Sequence, residues 1–124
     1  LSDVTVVLVH GAFAESASWS GVIPLLQAGG HRVIAAPNEL RSLSRDAAAL
    51  SGLVASIEGP VVLAGHSYGG SVITNAARGH DNVRALVYIA GFAPVEGASH
   101  AVPVAHPDRV AALIADAIAG RLRG

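Results

Sequence analysis

One serine in this sequence is framed by small residues at a spacing that chemistry uses: Gly65-His66-Ser67-Tyr68-Gly69. The G-x-S-x-G pattern suits a sharp strand-to-helix turn. The serine takes up strained backbone, and small neighbours let the chain close around it. Its hydroxyl is then presented at the start of a helix, whose free N–H groups favour developing negative charge. A second segment, His10-Gly11-Ala12-Phe13, follows directly on an apolar run. Acyl transfer needs two backbone N–H groups facing the oxyanion of the tetrahedral intermediate. Tyr68, the residue after the serine, and Ala12, in the earlier turn, are the candidate donors. Each segment alone also reads as a Gly-rich turn without chemistry. Paired at matching strand ends, they predict a nucleophile at Ser67 and an oxyanion site at Ala12 and Tyr68.

Such a site needs strands that end together and helices that begin beside them. Residues 5–9, 32–36, 61–65 and 85–90 are short, mostly apolar runs bounded by Gly, Pro or polar residues. Continuous apolar character is what strands buried on both faces require. Between them lie helical patterns. Trp19, Val22, Ile23 and Leu26 recur at helical spacing, with Pro24 expected to kink or shorten that helix and Gly29-Gly30 to stop it. Leu43, Ala47, Leu50, Val54 and Ile57 form a second stripe, with Ser42 or Ser44 as N-cap. Val72, Ile73, Ala76 and Ala77 form a third, ending near Gly79. The last runs from Pro107 through Val110, Leu113, Ile114, Ala117 and Ile118 to Gly120. The alternation predicts an α/β fold: three α/β/α layers around a short, mainly parallel sheet of about four strands.

These residues resemble the α/β-hydrolase superfamily. The resemblance rests on Val6-Val7-Leu8-Val9-His10-Gly11-Ala12-Phe13 with Trp19, on Ala36-Pro37-Asn38-Glu39-Leu40, and on residues 59–70 around the serine motif. It is strongest toward small bacterial esterase-like members and the related plant methylesterases and hydroxynitrile lyases. It covers residues 4–95 almost continuously and includes Ala90-Gly91-Phe92-Ala93-Pro94 after the fourth strand. Gly97-Ala98-Ser99-His100-Ala101-Val102, followed by His106-Pro107-Asp108 and an apolar helix, resembles the family's catalytic-histidine loop and final helix. On that match His100 is the general base toward Ser67. The cap, further strands and acid that the family places between these regions are missing, and the two parts are joined near residues 95–98. Glu96 is the best remaining candidate for the acid, with a solvated loop carboxylate as the competing reading. The chain is thus expected to be a single truncated domain over residues 1–124, with a core at 4–95 and a histidine loop and helix at 96–124. The implied activity is cleavage of small carboxylic esters through an acyl-enzyme at Ser67, weak and unselective. The alternative is a catalytically silent scaffold that keeps the elbow without a working triad.

Composition narrows the remaining classes. With 52% hydrophobic and 14% charged residues the chain has a core to bury, which argues against disorder. Its net charge is −1 and its eight basic residues, all arginine, are scattered. Neither a nucleic-acid partner nor a membrane surface is therefore expected. Without cysteine there are no disulfides or thiolate metal sites. His100 and His106 lack a third ligand at suitable spacing, and neither a P-loop nor a dinucleotide fingerprint is present, so no metal and no cofactor is expected. No targeting segment is visible, which points to the cytoplasm. The strand at residues 85–90 should form an open edge, and an open apolar edge predicts a homodimer through it.

Overall fold

The computed structural model describes residues 4–11, 19–37, 41–89 and 107–120. The most apolar runs form its centre. β1 (Thr5–Val9) and β3 (Val61–His66) are buried at every position, as strands covered on both faces must be. β2 (Arg32–Ala36) and β4 (Val83–Ile89) are partly exposed and take the edges. The sheet order is β2-β1-β3-β4, with every pairing parallel. β3 extends one residue beyond the expected run and includes His66. β4 begins at Val83 rather than at residue 85, because the exposed Arg84 is tolerated on an edge strand.

α1 (Ile23–Ala28) is short, and Pro24 lies in its first turn. There the missing N–H costs no hydrogen bond, so the proline opens the helix instead of kinking it. Trp19 precedes it in a turn closed by the Val22 N–H donating to the Trp19 carbonyl (2.8 Å). α2 (Leu43–Ser56) is capped by Ser42, whose Oγ accepts from the Arg45 N–H (3.1 Å). α3 (Tyr68–Ala76) starts immediately after Ser67, and α4 (Pro107–Ile118) begins at its proline. Gly120, at φ 73°, follows α4 in the left-handed conformation that commonly ends helices.

Two cores result, one on each face of the sheet. Val6, Leu8, Val62, Ala64 and Val87 meet Trp19, Val22 and Leu26 from the α1 side and Val110 and Ile114 from α4. Val7, Val9 and Leu63 meet Ala47, Leu50 and Val54 of α2 and Val72 and Ile73 of α3. Each fully buried Val, Leu or Ile in these clusters contributes about 1.5–3 kcal/mol relative to an exposed side chain.

This order has a functional consequence. From β1 the chain crosses to β2 on one side, then returns past β1 to β3 on the other. The crevice at the carboxyl ends of β1 and β3 is therefore the topological switch point, where open parallel sheets bind ligands. The register pairs Val9 with Gly65, so the turns that follow the two strands emerge at the same level. Among the described residues, no helix is long and apolar enough to cross a membrane.

Candidate active site

β3 delivers Ser67 to that crevice. Its backbone sits at φ 58°, ψ −120°, and among the described residues it is the one non-glycine with positive φ. Its side chain is exposed, and makes no capping hydrogen bond to α3. The hydroxyl is thus not spent on holding the helix. Conformations of this kind cost about 1–3 kcal/mol and persist only where the surroundings enforce them. Here the Ser67 N–H donates to the Ile89 carbonyl of β4 (3.1 Å), and the Gly70 N–H donates back to the Ser67 carbonyl (2.9 Å).

The glycines on either side are required by space. A Cβ on Gly65 would lie 2.5 Å from the backbone of Gly69, and a Cβ on Gly69 would lie 2.4 Å from the Val9 carbonyl oxygen. The elbow therefore closes on itself and packs against the end of β1. The turn after β1 reaches the serine as well, because a Cβ on Gly11 would come within 2.9 Å of the His66 carbonyl and 3.2 Å of Ser67 Cβ. The His10 ring stiffens that turn. Its Nδ1 lies 2.9 Å from the Gly11 carbonyl, which can only accept, so Nδ1 carries the proton.

Of the residues expected to act, Ser67 and Tyr68 stand together at the start of α3. As the first residue of that helix, Tyr68 has an N–H without an intrahelical acceptor, the kind of donor an oxyanion needs. Ala12, Glu96 and His100 lie outside the described residues, as does part of the expected edge strand, Ala90. Among the described residues, no group of His, Asp or Glu could hold a metal ion.

Two features were not anticipated. The first is the His66 ring. It is buried at the end of β3, edge-on to Trp19 with ring centroids 6.2 Å apart. Its Nδ1 and the Trp19 Nε1 are both buried without a hydrogen-bond partner among the described residues. Burial pushes the His66 pKa below its ordinary 6.5 by disfavouring the charged ring. The unfolded chain therefore takes up a proton before the folded one does, so stability falls as pH drops below about 6.5 and levels off beneath the folded value. Urea unfolding between pH 7 and pH 5 should show this loss. His66→Leu should flatten the slope. An equal slope in both proteins would contradict the assignment.

The second is Asp46, buried in the first turn of α2 at 6% exposure. The Tyr68 hydroxyl donates to its Oδ2 (2.7 Å), and the Arg41 N–H donates to Oδ1 (3.3 Å). The bond to the carboxylate, with burial adding to it, pushes the Tyr68 pKa up to about 12. The sequence held one signal for Asp46. It stands three residues after Leu43 and four before Leu50, inside the apolar stripe of α2.

Comparison with known proteins agrees with this geometry. The model of the "Alpha/beta hydrolase family" matches residues 6–123. The chain is 33% identical over 105 residues to the pyrethroid hydrolase of Sphingobium wenxiniae, covering 74% of this chain and 37% of that protein. It is 34% identical over 121 residues to the carbendazim hydrolyzing esterase of a Nocardioides species, covering 86% of this chain and 50% of that one. The crystal structure of a pyrethroid hydrolase from Sphingobium faniae superposes with a TM-score of 0.61 at 32% identity, over 68% of this chain and 39% of that one. The chain thus spans half or less of the length of these relatives. Since the family match takes in the turn after β1, the strained serine and the final helix alike, the chain belongs to the α/β-hydrolase family.

Proposed function

We propose that the chain hydrolyses small carboxylic esters through an acyl-enzyme at Ser67. The observation that carries the reading is the strained, exposed serine at the head of α3, touching the turn after β1. The relatives lend support, being a pyrethroid hydrolase and a carbendazim hydrolyzing esterase. In this reading the Ser67 Oγ attacks the ester carbonyl while His100 takes its proton, and the Tyr68 and Ala12 N–H groups receive the oxyanion. The leaving alkoxide departs with that proton. Water, deprotonated by His100, then releases the acid and restores the serine. Glu96 is the carboxylate available to orient His100. Activated aryl or short-chain esters are the substrates that suit a site without a cap.

The second reading is a silent scaffold, favoured by the short spacer between the fourth strand and the histidine loop, which leaves no evident catalytic acid. Turnover of an activated aryl ester separates the two. The native chain should accelerate release of the phenol, and Ser67→Ala should return the rate to that of buffer with the fold intact. Equal turnover by both proteins would remove Ser67 from the chemistry.

A further inference from the structure

A buried carboxylate is not in itself a gain. Replacing a buried charge by a packed apolar side chain is often neutral or stabilising. An apolar residue at position 46 would have continued the α2 stripe of Ala47, Leu50 and Val54. Asp46 is instead held as a fixed point. The Arg41 N–H occupies one oxygen, its own N–H donates to the Ser42 carbonyl (2.9 Å), and the first turn of α2 favours its negative charge. Its other oxygen takes a short bond from the Tyr68 hydroxyl. The Tyr68 ring is only partly buried, so water could have satisfied that hydroxyl. Solvation alone does not explain the pairing.

What the pairing adds is a brace on the elbow from a further side. The Ser67 N–H is tied to β4 through Ile89, and Gly69 rests on the carbonyl of Val9 in β1. Neither contact restrains the elbow from the side of α2. The bond from Tyr68 to Asp46 does, and Tyr68 is the residue adjoining the strained serine. We infer that Asp46 is a positioning residue: through the Tyr68 hydroxyl it holds the Ser67–Tyr68 backbone, and with it the Tyr68 N–H, in the geometry that receives an oxyanion. The catalytic half of this inference rests on the proposed role of Ser67, whereas the backbone half does not.

The test reads both halves in the same proteins: native, Tyr68→Phe, Asp46→Ala, the Tyr68→Phe/Asp46→Ala double variant and Asp46→Asn. The first readout is the rate at which a fluorophosphonate acylates Ser67 in the folded protein. The second is hydrogen exchange of the Ser67 and Gly70 amides, the hydrogen-bonded pair of the elbow. Each single variant should slow labelling and speed elbow exchange by about tenfold, the size of coupling between directly bonded residues, and the double variant should add little more. Asp46→Asn keeps an oxygen that accepts from the phenol, so it should recover most of both. Should Asp46→Ala fold poorly, Tyr68→Phe keeps the ring packing and breaks the same bond. A shifted unfolding midpoint with unchanged labelling and unchanged elbow exchange would reduce Asp46 to a structural residue and overturn the inference. If native Ser67 is not labelled, the nucleophile assignment fails by itself. Elbow exchange then decides on Asp46: faster exchange in the variants upholds its hold on the backbone, and unchanged exchange refutes it.

Discussion

Gly69→Ala should cost the fold about 3 kcal/mol or more, lowering Tm by roughly 10–20 °C in a domain of this size. The new Cβ would stand 2.4 Å from the Val9 carbonyl oxygen, a backbone atom inside the central strand. A flexible side chain could swing away, but a carbonyl in β1 moves only if the sheet or α3 moves with it. Marginal stability of about 5–15 kcal/mol leaves little room for such a shift. Gly52→Ala is the matched control. Gly52 is exposed in the middle of α2, and its added Cβ meets nothing within 4 Å. That substitution should stabilise by about 0.5–1 kcal/mol, through helix propensity and a less flexible unfolded chain. Thermal melts of the two variants should therefore move in opposite directions. A Gly69→Ala protein that melts with the native one would mean the elbow does not press on β1.

The second large effect joins stability to chemistry. Ser67→Gly should abolish acylation and, at the same time, make the protein more stable by about 1 kcal/mol. The φ of 58° and ψ of −120° strain any side-chain-bearing residue by about 1–3 kcal/mol, and glycine releases that strain. About 0.5–1 kcal/mol is returned because glycine frees the unfolded chain. No capping bond is lost, since the Ser67 side chain makes none to α3. Ser67→Ala keeps the Cβ and so should lose the chemistry without the gain in stability. Urea midpoints for the three proteins check the order: glycine above, serine and alanine alike. If glycine does not raise the midpoint, the serine is not held under strain.

Much of the fold was legible because the signals were local. Continuous apolar runs marked β1 and β3, Ser42 or Ser44 marked the start of α2, where the cap is Ser42, and Pro107 and Gly120 framed α4. The matching ends of β1 and β3 also followed from the apolar runs, and the register pairs Val9 with Gly65. What remained hidden was tertiary. Nothing local tells that the His66 ring turns under Trp19, or that Gly11 touches the elbow. Asp46 was missed for a related reason. A carboxylate in a helical stripe looks like an interruption until its partner, 22 residues along the chain, is known. Pro24 was expected to kink or shorten its helix; α1 is short, running only from Ile23 to Ala28, and the proline occupies its first turn, where the ring is accommodated.

Covalent labelling decides whether Ser67 is an activated nucleophile. The folded chain is treated with a fluorophosphonate, and intact mass and peptide mapping locate the adduct. One adduct per chain is expected, on Ser67, and none on folded Ser67→Gly. A folded native chain that stays unmodified, or one that is modified at another residue with equal yield in the variant, would contradict it.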